Sequence, residues 1–333
     1  MIKKSLSVLS ENTFSTENLL NCLALPDEPA TLYDPIRYTL AMGGKRVRPM
    51  LVNAACGLCG GNVKLAEHAA AGLEALHNFT LIHDDIMDNA HTRRGFETVH
   101  EKWDVPTAIL SGDSLFAYAF GTLSYYAHSS DFSKEQIARL YDEFLLATKV
   151  VCEGQARDIE FETSPDVTLR EYTLMVTQKT AALLQSAMKI GAIIAAADDV
   201  NIERVGQIGL NAGIAFQIQD DLLDAIGNPN KFGKKPGGDI IEGKKTYLSI
   251  LAITLASDEQ REMLKSIPGS NGISETQVQQ IIDIYTKTGV IDLTKKEINR
   301  LYAKSMDQLS IFADSVYRDE IKTLLNQLTV REN

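Results

Sequence analysis

Apolar residues return every three or four positions along most of this chain. The stretches KLAEHAAAGLEALHNFTLIHDD, SKEQIARLYDEFLLATKVVCEGQ and TLREYTLMVTQKTAALLQSAMKIGAI each carry an apolar stripe on a helical repeat. They are rich in Ala, Leu, Glu and Lys, and the two-residue alternation of a half-buried strand is scarce. Breaks fall at PDEP, MGGKRVRP, CGGN, TSPD, GNPNKFGKKPGG and IPGSNG, none of them long enough to be a domain linker. The pattern predicts one all-α domain over residues 1–333, with on the order of a dozen helices joined by short connections.

The apolar pattern is interrupted by charge at two related places. LIHDDIMDNA (81–90) sets Asp84, Asp85 and Asp88 at the end of an apolar helix, and QIQDDLLDAI (217–226) repeats the register with Asp220, Asp221 and Asp224. The flanks do not align, so this is a repeated motif and not a duplicated domain. Residues four apart share a helix face, and like charges so placed destabilise the helix. A solvated acidic helix end is the plain reading of one such motif; two copies, each embedded in apolar sequence, point to a hard divalent cation. Mg2+ takes oxygen ligands and bridges one or two carboxylates to substrate phosphates. An EF-hand loop needs a different spacing of acids, and a di-iron bundle needs Glu-x-x-His pairs that the chain lacks. His83-Asp84 is also the "HD" pair of a metal-dependent phosphohydrolase, although His68, His77, His91, His100 and His128 show no supporting spacing.

Cations gather near both motifs. GGKRVRP (43–49) places Lys45, Arg46 and Arg48 after two glycines and before a proline suited to a helix start, a setting that favours an anion. Arg93 and Arg94 follow the first motif, and FGKKPGGDIIEGKKT (232–246) brings Lys234, Lys235, Lys244 and Lys245 after the second on a glycine-rich loop. The inferred ligand is a metal-chelated di- or polyphosphate. No Walker loop or dinucleotide glycine fingerprint accompanies it.

Composition narrows the setting. A hydrophobic content of 44% with 23% charged residues is that of a globular protein, and a net charge of -11 disfavours nucleic acid or an anionic membrane as partner. The most apolar stretch, 181–197, is broken by Gln185 and Lys189 and predicts a buried helix with no transmembrane segment. The N-terminal residues make a poor signal peptide, and Cys22, Cys56, Cys59 and Cys152 give no disulfide framework, so the expected compartment is the cytoplasm. Cys56 and Cys59 form a C-x-x-C without a second ligand pair, which reads as packing thiols.

With these motifs in this order, the chain closely resembles the trans-isoprenyl diphosphate synthases, the farnesyl and geranylgeranyl diphosphate synthase group. The matching segments are GGKRVRP, DDIMD followed by RRG, GQARD, the Lys179-Thr180 pair, and FQIQDDLLD with its GK and GDI followers. The resemblance implies an all-α homodimer, each subunit a helical bundle around a deep apolar cavity with the two acidic motifs facing each other at its mouth. It implies Mg2+ as cofactor, three ions per active site, with Mn2+ as substitute. It assigns metal binding to Asp84, Asp88 and Asp220, with Asp85, Asp221 and Asp224 supporting or acting through water. Gln155, Asp158 and Asp239 take outer positions. Lys45, Arg48, His77 and Arg94 match the positions that hold isopentenyl diphosphate. Arg93, Lys179, Lys234 and Lys244 match those that hold the allylic diphosphate. Thr180 and Gln217 match groups whose oxygen dipoles face the developing cation; with Lys179, Arg93 and Lys234 they are expected to serve the chemistry.

Ionising an allylic C–O bond calls for charge stabilisation at the leaving diphosphate and for exclusion of water, and this composition of site supplies both. Product length is expected to depend on Phe79 and Thr80 ahead of Asp84, with Phe116 and Phe120 as a deeper floor or simply core. The small spacing in DDIMD and the aromatic at Phe79 favour geranylgeranyl diphosphate, with farnesyl diphosphate next. A terpene cyclase shares the metal chemistry without a need for GGKRVRP. A phosphohydrolase and a non-catalytic partner subunit remain as readings of other classes.

Overall fold

Polar side chains at the helix starts show why the segments begin where they do. Ser15 accepts the Asn18 amide before α1 (Thr16–Leu23), and Asp104 accepts the Thr107 amide before α6 (Val105–Gly121). Thr168, Thr246, Ser257 and Ser274 form reciprocal capping boxes ahead of α9 (Leu169–Val176), α13 (Tyr247–Leu255), α14 (Asp258–Ser266) and α15 (Glu275–Lys287). Each cap of this kind is worth about 1 kcal/mol. The computed structural model describes residues 14–227, 237–270 and 272–329.

Between these lie α2 (Ala30–Ala41), α3 (Val47–Leu58), α4 (Glu67–Met87), α5 (Val99–Lys102), α7 (Ser124–His128), α8 (Lys134–Thr163), α10 (Ala182–Ile194), α11 (Asp199–Ile226) and α12 (Gly238–Glu242); α16 (Val290–Ser310) and α17 (Val316–Thr329) follow. The all-α expectation holds, with more pieces than a dozen because α5, α7 and α12 are single turns. The one sheet among the described residues is the hairpin β1 (Thr92–Arg93) and β2 (Phe96–Glu97). Arg94 and Gly95 both take positive φ at its tip, the geometry of a two-residue hairpin turn. Among the described residues no helix is long and apolar enough to cross a membrane.

The chain forms two compact units. One comprises the chain up to Thr148 with Ser186–Gly206 and Phe312–Ile321; the other comprises Lys149–Gln185, Gln207–Ile311 and the chain from Lys322. In the first, α4 and α6 approach closely because glycines face the contact. A Cβ at Gly72 would stand 2.2 Å from Thr122 Oγ1, and one at Gly112 would stand 2.3 Å from His83 Nε2. In the second, Ile214, Ile218 and Leu222 of α11 pack in one core with Tyr172, Val176, Leu248, Ile281 and Ile298.

The segment 168–193, helical in its periodicity throughout, is not a continuous α-helix: Thr177–Ala181 is a π-turn between α9 and α10. It lies against α8 at Gly154, where a Cβ would stand 2.2 Å from the Lys179 backbone nitrogen. Such bulges frequently mark functional positions, and this one carries Lys179 and Thr180.

Candidate active site

Both aspartate motifs end a long helix. Asp84 and Asp85 lie in the last turn of α4 and Asp88 caps it, while Asp220, Asp221 and Asp224 occupy the last two turns of α11. These are the negative ends of the helix dipoles, so the carboxylates sit where negative charge is disfavoured and cations are favoured. The two motifs use their positions alike. The middle aspartates, Asp85 and Asp221, are buried, whereas Asp88 and Asp220 are exposed and Asp84 and Asp224 half-buried.

Each middle aspartate is held by at least one donor from outside its helix. Arg93, on the hairpin, places Nε and Nη2 2.7 Å from Asp85 Oδ1. Asp221 Oδ2 accepts the Tyr172 hydroxyl at 2.6 Å and the Tyr247 amide at 3.0 Å, and its Oδ1 accepts Gln217 Nε2 at 3.1 Å. Burial raises the Asp221 carboxyl to about 6, against these three hydrogen bonds, which favour the ionised form. Asp224 Oδ2 accepts the Asp239 amide at 2.9 Å, and its backbone carbonyl accepts the Gly237 amide at 2.6 Å. Asp239 is pushed to about 7 by burial and by the neighbouring Asp224 and Asp221, with Lys244 opposing. A narrow cleft is lined by Asp221, Asp224, Asp239, Lys244, Thr246 and Tyr285.

In the first unit the basic residues converge. Gly43, Gly44 and Arg46 all take positive φ, so the GGKR loop turns sharply into α3, which begins at Val47, two residues before Pro49. Arg94 donates to the Gly43 carbonyl, and a Cβ at Gly44 would meet its guanidinium at 2.7 Å. His77 is held well below its ordinary value, by burial and then by Arg48, Arg94, Arg93 and Arg46, and is neutral at pH 7. Burial lowers Arg48 to about 10, with Glu74 opposing. Arg48 Nε is buried and meets no hydrogen-bond acceptor among the described residues. Lys45 is exposed at the loop.

Two residues here were not anticipated as supports. Arg46 is buried, ion-paired with the buried Glu74, and donates to the Leu40 carbonyl at 2.6 Å, so it anchors the loop. Tyr38 donates to the Glu97 carbonyl at 2.9 Å and ties down the hairpin that carries Arg93 and Arg94. The signal for Glu74 was a lone acid inside the alanine-rich AAAGLEALHNF; Tyr38 had none.

On the π-turn, Lys179 Nζ lies 2.5 Å from Asp158 Oδ2, and the Thr180 hydroxyl donates to Gln217 Oε1 at 2.9 Å. Gln155 is half-buried one turn before Asp158 on α8. Lys244 Nζ pairs with Glu242 at 2.8 Å. Lys234 lies outside the described residues, as does Lys235.

Phe79 begins an aromatic series: its ring centroid is 5.3 Å from that of Phe116, which is 5.1 Å from Phe120, which is 6.2 Å from Phe144. Thr80 donates to the His77 carbonyl at 2.8 Å. His83 is a packing residue: its ring lies edge-on to Phe79, and Nε2 is 3.2 Å from the Ile109 carbonyl. Among the described residues no three His, Cys, Asp or Glu side chains are grouped to hold a metal by themselves. The HD-hydrolase arrangement of several histidines on one ion is therefore not built here. The donor set suits Mg2+, which binds through one or two carboxylates and takes its remaining ligands from water and phosphate. Cys56 and Cys59, raised by burial to about 12 and about 11, are poor thiolate ligands.

Comparison with known proteins points to one family, whose members differ in the chain length their names give. The sequence model of the polyprenyl synthetase family matches residues 29–285. The geranylgeranyl diphosphate synthase of Saccharolobus solfataricus is 39% identical over 80% of each chain. That of Sulfolobus acidocaldarius is 37% identical over 84% of each. The crystal structure of geranylgeranyl pyrophosphate synthetase from Pyrococcus horikoshii superposes with a TM-score of 0.91, at 35% identity over 98% of both chains.

Proposed function

The chain belongs to the polyprenyl synthetase family, and from that premise we propose that it is a short-chain trans-prenyl diphosphate synthase making geranylgeranyl diphosphate. It condenses isopentenyl diphosphate with dimethylallyl, geranyl or farnesyl diphosphate. The observation that carries the reading is the joint presence of two aspartate motifs with buried, pre-oriented middle carboxylates and a separate arginine cluster around Gly43 and Gly44. One diphosphate departs and the other is retained, and each needs its own charged holder.

Asp84, Asp88 and Asp220 would hold Mg2+, three ions with the substrate diphosphate bound, and Mn2+ would substitute. Bound Mg2+ would supply electrostatic stabilisation to the departing diphosphate. Arg93, Lys179, Lys234 and Lys244 hold the allylic diphosphate, and Lys45, Arg48, His77 and Arg94 hold the isopentenyl diphosphate. The allylic C–O bond ionises, the isopentenyl double bond attacks the carbocation, and the proton then lost passes to the released diphosphate. Thr180 and Gln217 turn oxygen dipoles to the carbocation, Gln155, Asp158 and Asp239 orient their charged neighbours, and the aromatic series from Phe79 to Phe120 limits the chain. A neutral His77 serves as a hydrogen-bond donor beside the arginines without adding to their repulsion.

The enzyme acts as a cytoplasmic homodimer. Ile109 and Leu110 of α6, with Tyr141, Leu145 and Leu146 of α8, are exposed apolar side chains that suit a second copy. The test is incubation with Mg2+, labelled isopentenyl diphosphate and each allylic primer, with products resolved by length. Geranylgeranyl diphosphate is expected from all three primers. Release of phosphate without elongation would overturn the reading, and a farnesyl product would keep the activity and move the floor.

A further inference from the structure

We propose that Tyr172 is a positioning residue that fixes the polarity of the hydrogen-bond chain ending at Thr180, and so the direction in which Thr180 presents its oxygen; this rests on the prenyl-transfer reading above. Tyr172 is fully inside the core, 2% exposed, and spends its one proton on Asp221 Oδ2 at 2.6 Å. A second donor, the Tyr247 amide, reaches the same oxygen at 3.0 Å. With both outside donors on Oδ2, the other oxygen is left to the neighbouring amide, and Gln217 turns Nε2 toward Asp221 Oδ1, at 3.1 Å. The opposite orientation would set the amide carbonyl against the carboxylate. With Nε2 committed, Gln217 presents Oε1 to Thr180, whose hydroxyl donates to it at 2.9 Å.

The consequence is directional. Thr180 has one proton, and the chain from Tyr172 through Asp221 and Gln217 directs it at Gln217. The remaining lone pairs of Thr180 Oγ1 are therefore its only offering to anything that approaches this half-exposed residue. An oxygen locked as an acceptor stabilises positive charge and repels negative charge, and it does so without reorganising when the charge forms. A Thr180 free to rotate would turn its hydroxyl proton outward in part of the population. Tyr172 sits on α9 and reaches Thr180 through Asp221 and Gln217.

The test is a double-mutant cycle on the full-length enzyme. Y172F removes the hydroxyl that helps hold Asp221, and T180V removes the directed oxygen. Each is expected to lower kcat for condensation by about a hundredfold, the scale of losing one pre-oriented electrostatic contact, while both KM values stay within about twofold. Y172F added to T180V is expected to cost little more, because both cut one chain. Binding of Mg2+ with inorganic diphosphate, followed by calorimetry, is expected to match wild type in Y172F. Effects that multiply in the double variant, or weakened Mg2+–diphosphate binding with normal kcat at saturation, would show that Tyr172 acts only on the metal carboxylates and would overturn the proposal. Q217M cuts the chain at a half-exposed position and must reproduce the kcat loss. A normal kcat there overturns the proposal even if Y172F fails to fold. Wild-type enzyme without condensation activity would instead sink the prenyl-transfer reading, while calorimetry and melting of the variants would still report on folding.

Discussion

Asp85 and Asp221 hold the same register in their motifs, and both are turned inward against donors from another element. Of their neighbours, Asp88 and Asp220 are exposed and Asp84 and Asp224 half-buried. Asp239 sits behind the second motif with its carboxyl raised to about 7 by burial and by Asp224 and Asp221. A carboxyl raised in the folded state favours folding while it is protonated. Its stability contribution is complete below the unfolded value near 3.8, and it is lost as pH rises through about 7. D239N without metal is therefore expected to lose less stability than wild type between pH 5 and pH 8. The difference should be about 1 kcal/mol after solvent screening, or ~2 °C in melting temperature. Parallel curves for the two proteins would show that Asp239 is not strained in this way. Spacing alone placed Asp84 with Asp88 and Asp220 with Asp224 on shared helix faces. It could not show which aspartates turn inward, because that depends on the hairpin that folds Arg93 back and on Tyr172 and Tyr247, remote in sequence.

Among the elements, α4 carries Glu74, His77, Phe79 and Asp84 in successive turns, so one rigid helix relates the loop anchor, the neutral histidine, the aromatic series and the first motif. Its close approach to α6 through Gly72 and Gly112 brings Phe79 against Phe116. F79A should remove the first ring of this series and lengthen the main product by one five-carbon unit, with turnover within about threefold, since apolar pocket changes alter discrimination more than rate. Chain-length analysis of the products checks this, and an unchanged distribution would place the floor elsewhere. The long helices and their ends were legible from period and punctuation. The hairpin at Thr92–Glu97 and the π-turn at Thr177–Ala181 were not. The first depends on two positive-φ residues in RRG, and the second lies where Gly154 lets backbone meet backbone.

At the scale of the whole molecule, a chain with net charge -11 nevertheless brings Arg46, Arg48, Arg93 and Arg94 together around His77, a local positive field suited to an anion. The all-α class followed directly from the repeat of apolar positions. The division into two compact units carried no such signal, since four of its five boundaries fall within α8, α10, α11 and α17 and the fifth in the short turn after α16, where no linker composition marks them. Prenyl transfer as proposed releases, per turnover, one diphosphate for each isopentenyl unit joined. The most direct measurement follows inorganic diphosphate released and isopentenyl diphosphate consumed in one reaction, with Mg2+ and with the metal chelated. One diphosphate is expected for each isopentenyl unit consumed, and neither change after chelation. Phosphate or diphosphate released without consumption of isopentenyl diphosphate, or elongation that persists without a divalent metal, would contradict it.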